Sequence, residues 1–269
     1  FREHLPATMT WLSEHPQRML PYLSEYQDLL KVCMYFKDHP RPDCYIRELP
    51  IEVHTKFIET HTGILKPLLE AILPEEAIDN TATRFTLRFG LRDAEALVRL
   101  RPLSAQVRQE LELPYQELAL PVVHFADLDF SGRTIVIIEN LMTYLTWPAH
   151  CGDLAIFGKG FQAGLLKHNQ SLSAATLLYW GDLDAQGFMI LSQLRASFPG
   201  ARSFLMDLQT YDTYAQFVVE GKPCTAAELP GLTDEEAMLF DQLRRENRRL
   251  EQEHLPLRYV KQRYGGNRI

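Results

Sequence analysis

The spacing of apolar and polar positions divides the chain into a helical first third and a later part in which strands and helices alternate. Residues 22–39 and 54–73 carry apolar side chains at helical spacing, and proline ends each run. The segments RFTLRFGL (84–91) and ALVRLRPL (96–103) then alternate apolar with polar or basic residues, as strands do. The order of helix, helix and hairpin predicts a mainly helical winged-helix module over residues 1–115.

Residues 116–269 show the pattern of an α/β domain. The segment RTIVIIE (133–139) contains four consecutive β-branched apolar residues, which is typical of a parallel strand buried on both faces. Short apolar runs follow at 154–157, 176–180 and 203–206, and the stretches between them are long enough for helices. A parallel sheet with helices on both faces is therefore expected.

Two helices are predicted most clearly in this second part. One follows Asp184 as AQGFMILSQLRASF and ends at Pro199 and Gly200. The other opens with TDEE, the spelling of a capping box, and continues as a charged helix through RRENRRLEQEH to Pro256. The alternating arginines and acids of this tail are typical of an ordinary charged helix surface.

Composition restricts the class of protein. The 269 residues are 46% hydrophobic and contain no apolar run of about 18, and FREHLPATMT lacks the features of a signal peptide, so a soluble cytoplasmic protein is expected. The four cysteines form no CxxC pair, which argues against a zinc ribbon or a disulfide framework. The net charge of -7 argues against a basic coat for nucleic acid, but a local basic stripe can coexist with this net charge. Because the chain begins at Phe1 rather than Met, we expect that an N-terminal part is missing.

Three acidic residues follow predicted strands. Glu139 ends the first strong strand, and Asp182 and Asp184 follow the third. The carboxyl ends of parallel strands share one edge of a sheet, and residues two apart in an extended segment point the same way. Oxygen ligands suit Mg²⁺, and a cation would relieve the repulsion among three carboxylates. This pattern predicts a site for Mg²⁺ or Mn²⁺. The alternative is that Asp-x-Asp is only a solvated turn and helix cap.

The segments IVIIEN, AIFGKGF and YWGDLDAQGF resemble the Toprim domain of topoisomerases, primases and related nucleases. Together with YIRELPIEVHTKFIE, IENLMTYL and RRLEQE, they resemble the JetD (MksG) family, the nuclease subunit of Wadjet systems, in which an SMC-like complex defends bacteria against plasmids. The resemblance runs from about Tyr22 to the end of the chain. It implies a CAP-like winged-helix module, as in the topoisomerase VI A subunit, followed by a Toprim nuclease domain.

The same resemblance implies roles and partners. Glu139, Asp182 and Asp184 would be catalytic metal ligands, and the substrate would be double-stranded plasmid DNA. The implied partners are a second copy of the chain and an SMC-like complex of condensin-like ATPase, kleisin and KITE subunits, with no membrane. Glu251 and Glu253, within RRLEQE, could add a further carboxylate to the metal site.

Basic residues outside the acidic cluster are candidate DNA contacts. Lys159 lies in the glycine turn GKG and could contact a phosphate or the charge that develops during the reaction. Lys56 opens the second helix, where a phosphate would be favoured. The proposed wing carries a basic stripe that could bind the DNA backbone, formed by Arg84, Arg88, Arg92, Arg99 and Arg101. For each of these residues the alternative is an ordinary solvated basic side chain.

Three alternatives to a metal-dependent nuclease are compatible with parts of this pattern. Topoisomerase VI-type proteins cut with a tyrosine, for which Tyr45 is the nearest candidate, but JetD-like proteins resemble them without it, and we interpret Tyr45 as a packing residue. A phosphatase of the haloacid dehalogenase type would carry its Asp-x-Asp after the first strand, followed by Thr or Val, where this chain has Gln186. A non-catalytic DNA-binding scaffold remains open.

Overall fold

The computed structural model describes residues 1–54, 56–158 and 163–266. The chain divides into two separately packed units, Phe1–Ala94 and Glu95–Ile269. Among the described residues, no helix combines the length and the apolar character needed to cross a membrane.

The first unit is helical. Its α-helices are α1 (Thr8–Glu14), α2 (Pro16–Met19), α3 (Tyr26–Asp38), α4 (Phe57–Thr60), α5 (Thr62–Ile72) and α6 (Phe85–Arg88). Short 3-10 helices span Leu20–Glu25, Ile46–Glu48 and Glu75–Ala77. The two predicted helical runs are confirmed, although the second is divided at His61 into α4 and α5. α3 and α5 pack against each other through their apolar faces, which form the centre of this unit's core.

The hairpin predicted over residues 84–103 is wrong. Phe85–Arg88 form α6 instead of a strand, and Phe89 is fully buried in the helical core beside Phe36. The second predicted strand does form, but it pairs within the sheet of the second unit. The period-two alternation in the first segment is too short to outweigh the burial of its aromatic side chains among helices. The winged-helix assignment therefore stays a prediction.

The second unit is an α/β domain. Its strands are β1 (Leu97–Pro102), β2 (Leu118–Pro121), β3 (Thr134–Ile138), β4 (Leu154–Phe157), β5 (Thr176–Trp180), β6 (Arg202–Ser203), β7 (Val219–Glu220) and β8 (Arg248–Arg249). Its α-helices are α7 (Ala105–Glu110), α8 (Val122–Ala126), α9 (Leu141–Thr146), α10 (Ala163–Leu166), α11 (Ala185–Ser197), α12 (Leu208–Thr213), α13 (Asp234–Glu246) and α14 (Leu257–Gly266). Short 3-10 helices span Gln170–Ala174, Ala215–Phe217 and Gln252–His254.

A six-stranded sheet in the order β2-β1-β4-β3-β5-β6 organises this unit. β3 is parallel to both β4 and β5, and β5 is parallel to β6, whereas β1 runs antiparallel to β2 and β4. The predicted α/β class with a mostly parallel sheet is confirmed. Residue 115, the predicted end of the first module, lies inside this unit, because β1 and β2 are strands of the same sheet.

The central strand β3 is buried as its sequence predicts. Each side chain from Ile135 to Ile138 has no exposed surface, so the strand is covered on both faces. The sheet interior continues through β5 to Trp180, whose ring packs against those of Trp147 and Phe204. This burial fixes the carboxyl ends of β3 and β5 side by side.

The tail departs from the prediction. α13 begins with the predicted capping box of Thr233 and Glu236, but it ends at Glu246 because Asn247 adopts the left-handed conformation, with φ 51°. The chain then forms β8, which pairs with β7, and Leu250 makes an antiparallel bridge to Leu183. The prediction of one helix as far as Pro256 is therefore wrong. The difference brings residues 249–252 to the carboxyl edge of the sheet.

Candidate functional site

The three predicted carboxylates follow two adjacent parallel strands. Glu139 comes directly after β3, and Asp182 and Asp184 follow β5, which pairs with β3 along its length. The backbone N–H of Glu139 continues this pairing by donating to the Trp180 carbonyl at 3.4 Å. The side chains are close enough for the charges of both aspartates to raise the pKa of Glu139.

Both oxygens of Asp182 are engaged by the segment after α13. Oδ2 accepts a hydrogen bond from Nη2 of Arg249 at 2.6 Å, and Oδ1 accepts one from the backbone N–H of Gln252 at 2.9 Å. The side chain is 22% exposed. Asp182 is therefore held by one side-chain cation and one backbone donor.

Asp184 is the N-cap of α11. Its Oδ1 accepts a hydrogen bond from the backbone N–H of Gly187 at 2.7 Å, so the helix-cap interpretation of this residue is confirmed. A Cβ at Gly187 would lie 2.2 Å from the Asp182 carbonyl oxygen, so the first turn of the helix fits against the Asp-x-Asp segment only with glycine. The second oxygen of Asp184, Oδ2, lies 3.5 Å from Nε of Arg249.

Glu139 contains a buried carboxylate oxygen without a partner. Its Oε1 accepts no hydrogen bond from any residue that the structure describes. Burial, followed by the charge of Asp182, raises the pKa of Glu139 to about 8. The Tyr179 hydroxyl is near enough to lower this pKa, but the two groups lack hydrogen-bond geometry and the hydroxyl also has no partner in the described chain. A buried oxygen of this kind can be satisfied by a proton or by a cation.

Arg249 is the cation of the cluster. Besides its contacts with the two aspartates, its Nη1 lies 3.1 Å from Oε1 of Glu251. Sequence reasoning missed this role because it assigned the tail arginines to a helix surface. The signal available in the sequence was Asn247, a residue that tolerates the left-handed conformation and can end a helix ahead of Arg249.

The two tail glutamates differ in position. Glu251 joins the cluster through Arg249, whereas Glu253 accepts a hydrogen bond from Nδ2 of Asn140 at 2.5 Å. Gln252, between them, donates from Nε2 to the Trp180 carbonyl at 2.5 Å and is buried. The tail is thus fixed to the ends of both β3 and β5.

The donor set suits a hard divalent cation, but the observed arrangement is not that of a metal centre. Carboxylate oxygens are the ligands that Mg²⁺ and Mn²⁺ prefer, and the unpartnered oxygen of Glu139 fits such a role. Nevertheless, within residues 1–54, 56–158 and 163–266, no three or more His, Cys, Asp or Glu side chains are grouped so as to hold a metal ion. Arg249 instead supplies the positive charge next to Asp182, Asp184 and Glu251.

Each arginine predicted to contact DNA from the first unit forms an ion pair with a carboxylate. The distances are 2.8 Å for Arg84 with Asp93, 2.7 Å for Arg88 with Glu70, and 3.0 Å for Arg92 with Asp43. Arg84 and Arg92 are more than half exposed, while Arg88 is largely buried and also donates to Asn80. Arg88 is therefore a structural residue in this arrangement, and the other two lie at the surface.

The remaining candidates have different positions. Lys56 is exposed immediately before α4, and Lys159 lies outside the described residues. Arg99 and Arg101 belong to β1 in the sheet and not to a wing, and Arg101 donates to two backbone carbonyls. Tyr45 is 45% exposed, and its interpretation as a packing residue stays a prediction.

Two family models match the chain. The model described as Wadjet protein JetD, C-terminal, matches residues 90–264, and the model described as the N-terminal region of an uncharacterized protein conserved in bacteria (DUF3322) matches residues 1–70. A comparison with curated proteins gave no match. Because the first match covers more than half of the chain and includes the whole carboxylate cluster, the chain belongs to the Wadjet protein JetD family, which makes it a component of a Wadjet system.

Proposed function

We propose that the chain is the nuclease subunit of its Wadjet system and that it hydrolyses double-stranded plasmid DNA with Mg²⁺ or Mn²⁺. The second unit would be a Toprim domain, and Glu139, Asp182 and Asp184 would hold the metal. The observation that carries the proposal is the convergence of these carboxylates after two adjacent parallel strands, where Glu139 keeps a buried oxygen without a partner in the described chain. Ligand sites in α/β sheets lie at this edge.

The bound cation would supply an activated water and stabilise charge on the phosphate under attack. Other residues of the chain hold the carboxylate ligands in position before the cation binds. The N-terminus of α11 fixes Asp184 through the Gly187 N–H, and the backbone of Gln252 fixes Asp182. With a pKa of about 8, Glu139 holds a proton at neutral pH until a cation compensates for its burial.

Basic residues would hold the DNA backbone. Arg84 and Arg92 are exposed, and each could exchange its carboxylate partner for a phosphate, because exposed ion pairs contribute little stability. Lys56 would contact the DNA backbone from its exposed position before α4, and Lys159 is proposed for the same role. Arg88 is the weakest of these candidates, because its guanidinium already holds Glu70 and Asn80.

Cleavage of both strands would require two active sites, so a homodimer is proposed. Membership of a Wadjet system implies an SMC-like complex as partner, and we propose condensin-like ATPase, kleisin and KITE subunits as its components. The winged-helix assignment of the first unit and a cytoplasmic location belong to the same proposal.

A non-catalytic scaffold is the second candidate. It is favoured by the position of Arg249, which places a positive charge beside the carboxylates without any metal. A tyrosine-dependent cleavage of the topoisomerase VI type, with Tyr45 as the nucleophile, is a weaker alternative and would leave a covalent protein-DNA product.

The discriminating experiment incubates the purified chain with supercoiled plasmid in Mn²⁺, in Mg²⁺ and in EDTA. We expect metal-dependent nicking or linearisation, and we expect Asp182→Asn, Asp184→Asn to reduce it by about 100-fold or more, since the ligands of the cation are weakened. Asparagine keeps the helix cap at position 184, so folding should be retained.

The control variant is Asp212→Asn, which removes an exposed carboxylate of α12 and should cut like the unchanged chain. DNA binding without cutting in every metal would contradict the nuclease and support the scaffold. Cutting that persists in the double variant but disappears in Tyr45→Phe would support the tyrosine mechanism.

A further inference from the structure

Arg249 lies between three carboxylates in the position of a central counter-ion. Its guanidinium nitrogens lie 2.6 Å from Asp182, 3.5 Å from Asp184 and 3.1 Å from Glu251. A divalent cation bound by the two aspartates needs the same oxygens, in particular Oδ2 of each residue, which face the guanidinium. The guanidinium and a metal ion therefore compete for one electrostatic position.

The ion pairs of Arg249 are incomplete. Asp182 receives one hydrogen bond from the guanidinium instead of the two parallel bonds of a forked pair, because its other oxygen is taken by the Gln252 N–H. Nε of Arg249 is buried and donates no hydrogen bond to any described residue. At 30% exposure the side chain also has direct access to water. These features make the guanidinium displaceable.

The backbone beneath Arg249 is fixed more firmly than its side chain. Leu250, the next residue, exchanges two backbone hydrogen bonds of 3.0 Å with Leu183, and Gln252 binds the Trp180 carbonyl at 2.5 Å. A change at the site can therefore take place by rotation of one side chain, without breaking the bridge between Leu250 and Leu183.

We propose that Arg249 is a built-in counter-cation that occupies the metal position and must turn away before a divalent cation can bind. The inference rests on the proposed function, because it assumes the metal ligands named there. It adds an intrinsic control: while no metal is bound, Arg249 compensates part of the negative charge and holds the carboxylates in place, and metal affinity is set by the competition with Arg249. Replacing Arg249 by a neutral residue should therefore tighten metal binding.

The test measures Mn²⁺ binding to the full chain without DNA, by electron paramagnetic resonance of free Mn²⁺. We expect Arg249→Gln to bind Mn²⁺ about tenfold more tightly than the unchanged chain, because a full positive charge next to the ligands is removed. Adding Asp182→Asn and Asp184→Asn to Arg249→Gln should abolish this binding. The matched control is Arg248→Gln, which removes the same charge from the neighbouring exposed position of β8 and should change affinity by less than about twofold.

The outcomes separate the two proposals. Equal Mn²⁺ affinity in the unchanged chain and in Arg249→Gln would overturn the counter-cation and leave the proposed nuclease standing, and weaker binding in the variant would do the same. No Mn²⁺ binding by either protein would overturn both. If circular dichroism shows that Arg249→Gln is unfolded, Arg249→Met takes its place, because it removes the charge and keeps an apolar side chain of similar length. Arg249→Met should then bind Mn²⁺ more tightly than the unchanged chain, and an unchanged affinity would overturn the inference.

Discussion

At the scale of single residues, Tyr179 and Gly181 explain how a phenol is accommodated beside a buried carboxyl. The Tyr179 hydroxyl is fully buried and has no hydrogen-bond partner in the described chain. A Cβ at Gly181 would lie 2.5 Å from this hydroxyl oxygen, so the phenol occupies the space that a side chain at position 181 would need. The glycine is thus required by close packing and not by its backbone dihedral angles.

This packing predicts a non-additive pair of substitutions. Gly181→Ala should lower the free energy of unfolding by about 1–3 kcal/mol, because the methyl group overlaps the phenol. Adding Tyr179→Phe should restore part of that loss, since it removes the atom in closest conflict. Gly200→Ala is the control, because a Cβ there meets nothing within 4 Å. Additive losses in urea denaturation of the single and double variants would contradict the proposed overlap.

At the scale of elements, the sequence predicted strands better than it predicted the tail. β4 and β5 have the predicted bounds because each is a short apolar run that the sheet buries on both faces. The prediction for the tail was wrong for a local reason. The charge pattern continues as in a helix, but one left-handed residue, Asn247, ends the helix and redirects the chain. The sequence predicted that Glu139, Asp182 and Asp184 lie together, because all three follow strands of one parallel sheet. The position of Arg249 depends on the chain reversal at Asn247, so its role was not predicted.

The start of α13 is joined to the neighbouring elements by a buried ion pair. Glu236 accepts hydrogen bonds from Arg195 of α11, from the Ser203 hydroxyl at 2.6 Å and from the Thr233 N–H at 2.9 Å. Burial by itself would raise the pKa of Glu236, but these bonds outweigh it and lower the pKa below its ordinary value of 4.5. The carboxylate therefore stabilises the fold in its charged form.

We expect Glu236→Gln to lower the free energy of unfolding at pH 7 by about 3 kcal/mol, because Arg195 would remain buried without a charged partner. Since the folded pKa lies below the unfolded one, the contribution of Glu236 is present above the unfolded value and is lost as pH falls through the folded value. Acid titration of stability should therefore be shallower for the variant below about pH 4. Glu235→Gln, at an exposed position in the same turn, is the control. Parallel acid profiles for Glu236→Gln and the unchanged chain would contradict this assignment.

At the scale of the whole molecule, the boundary between the two units is set by which strands join the sheet. The local pattern of side chains did not indicate it. The alternation in residues 96–103 correctly indicated a strand, but only pairing shows that β1 joins the sheet beside β4. Pairing between segments distant in sequence is not encoded in local periodicity, so the boundary at Ala94 could not be read from the chain alone. The net charge of -7 likewise does not reveal how many basic side chains are already paired with carboxylates.

The central claim is that the carboxylates at the ends of β3 and β5 form a divalent-metal site. The most direct measurement is anomalous diffraction from crystals of the chain soaked in Mn²⁺, which locates the ion independently of activity. We predict a peak within about 2.0–2.4 Å of carboxylate oxygens of Glu139, Asp182 and Asp184, with the guanidinium of Arg249 turned away. Mn²⁺ bound elsewhere, or none at this edge while Arg249 keeps its contacts with Asp182 and Glu251, would contradict the claim.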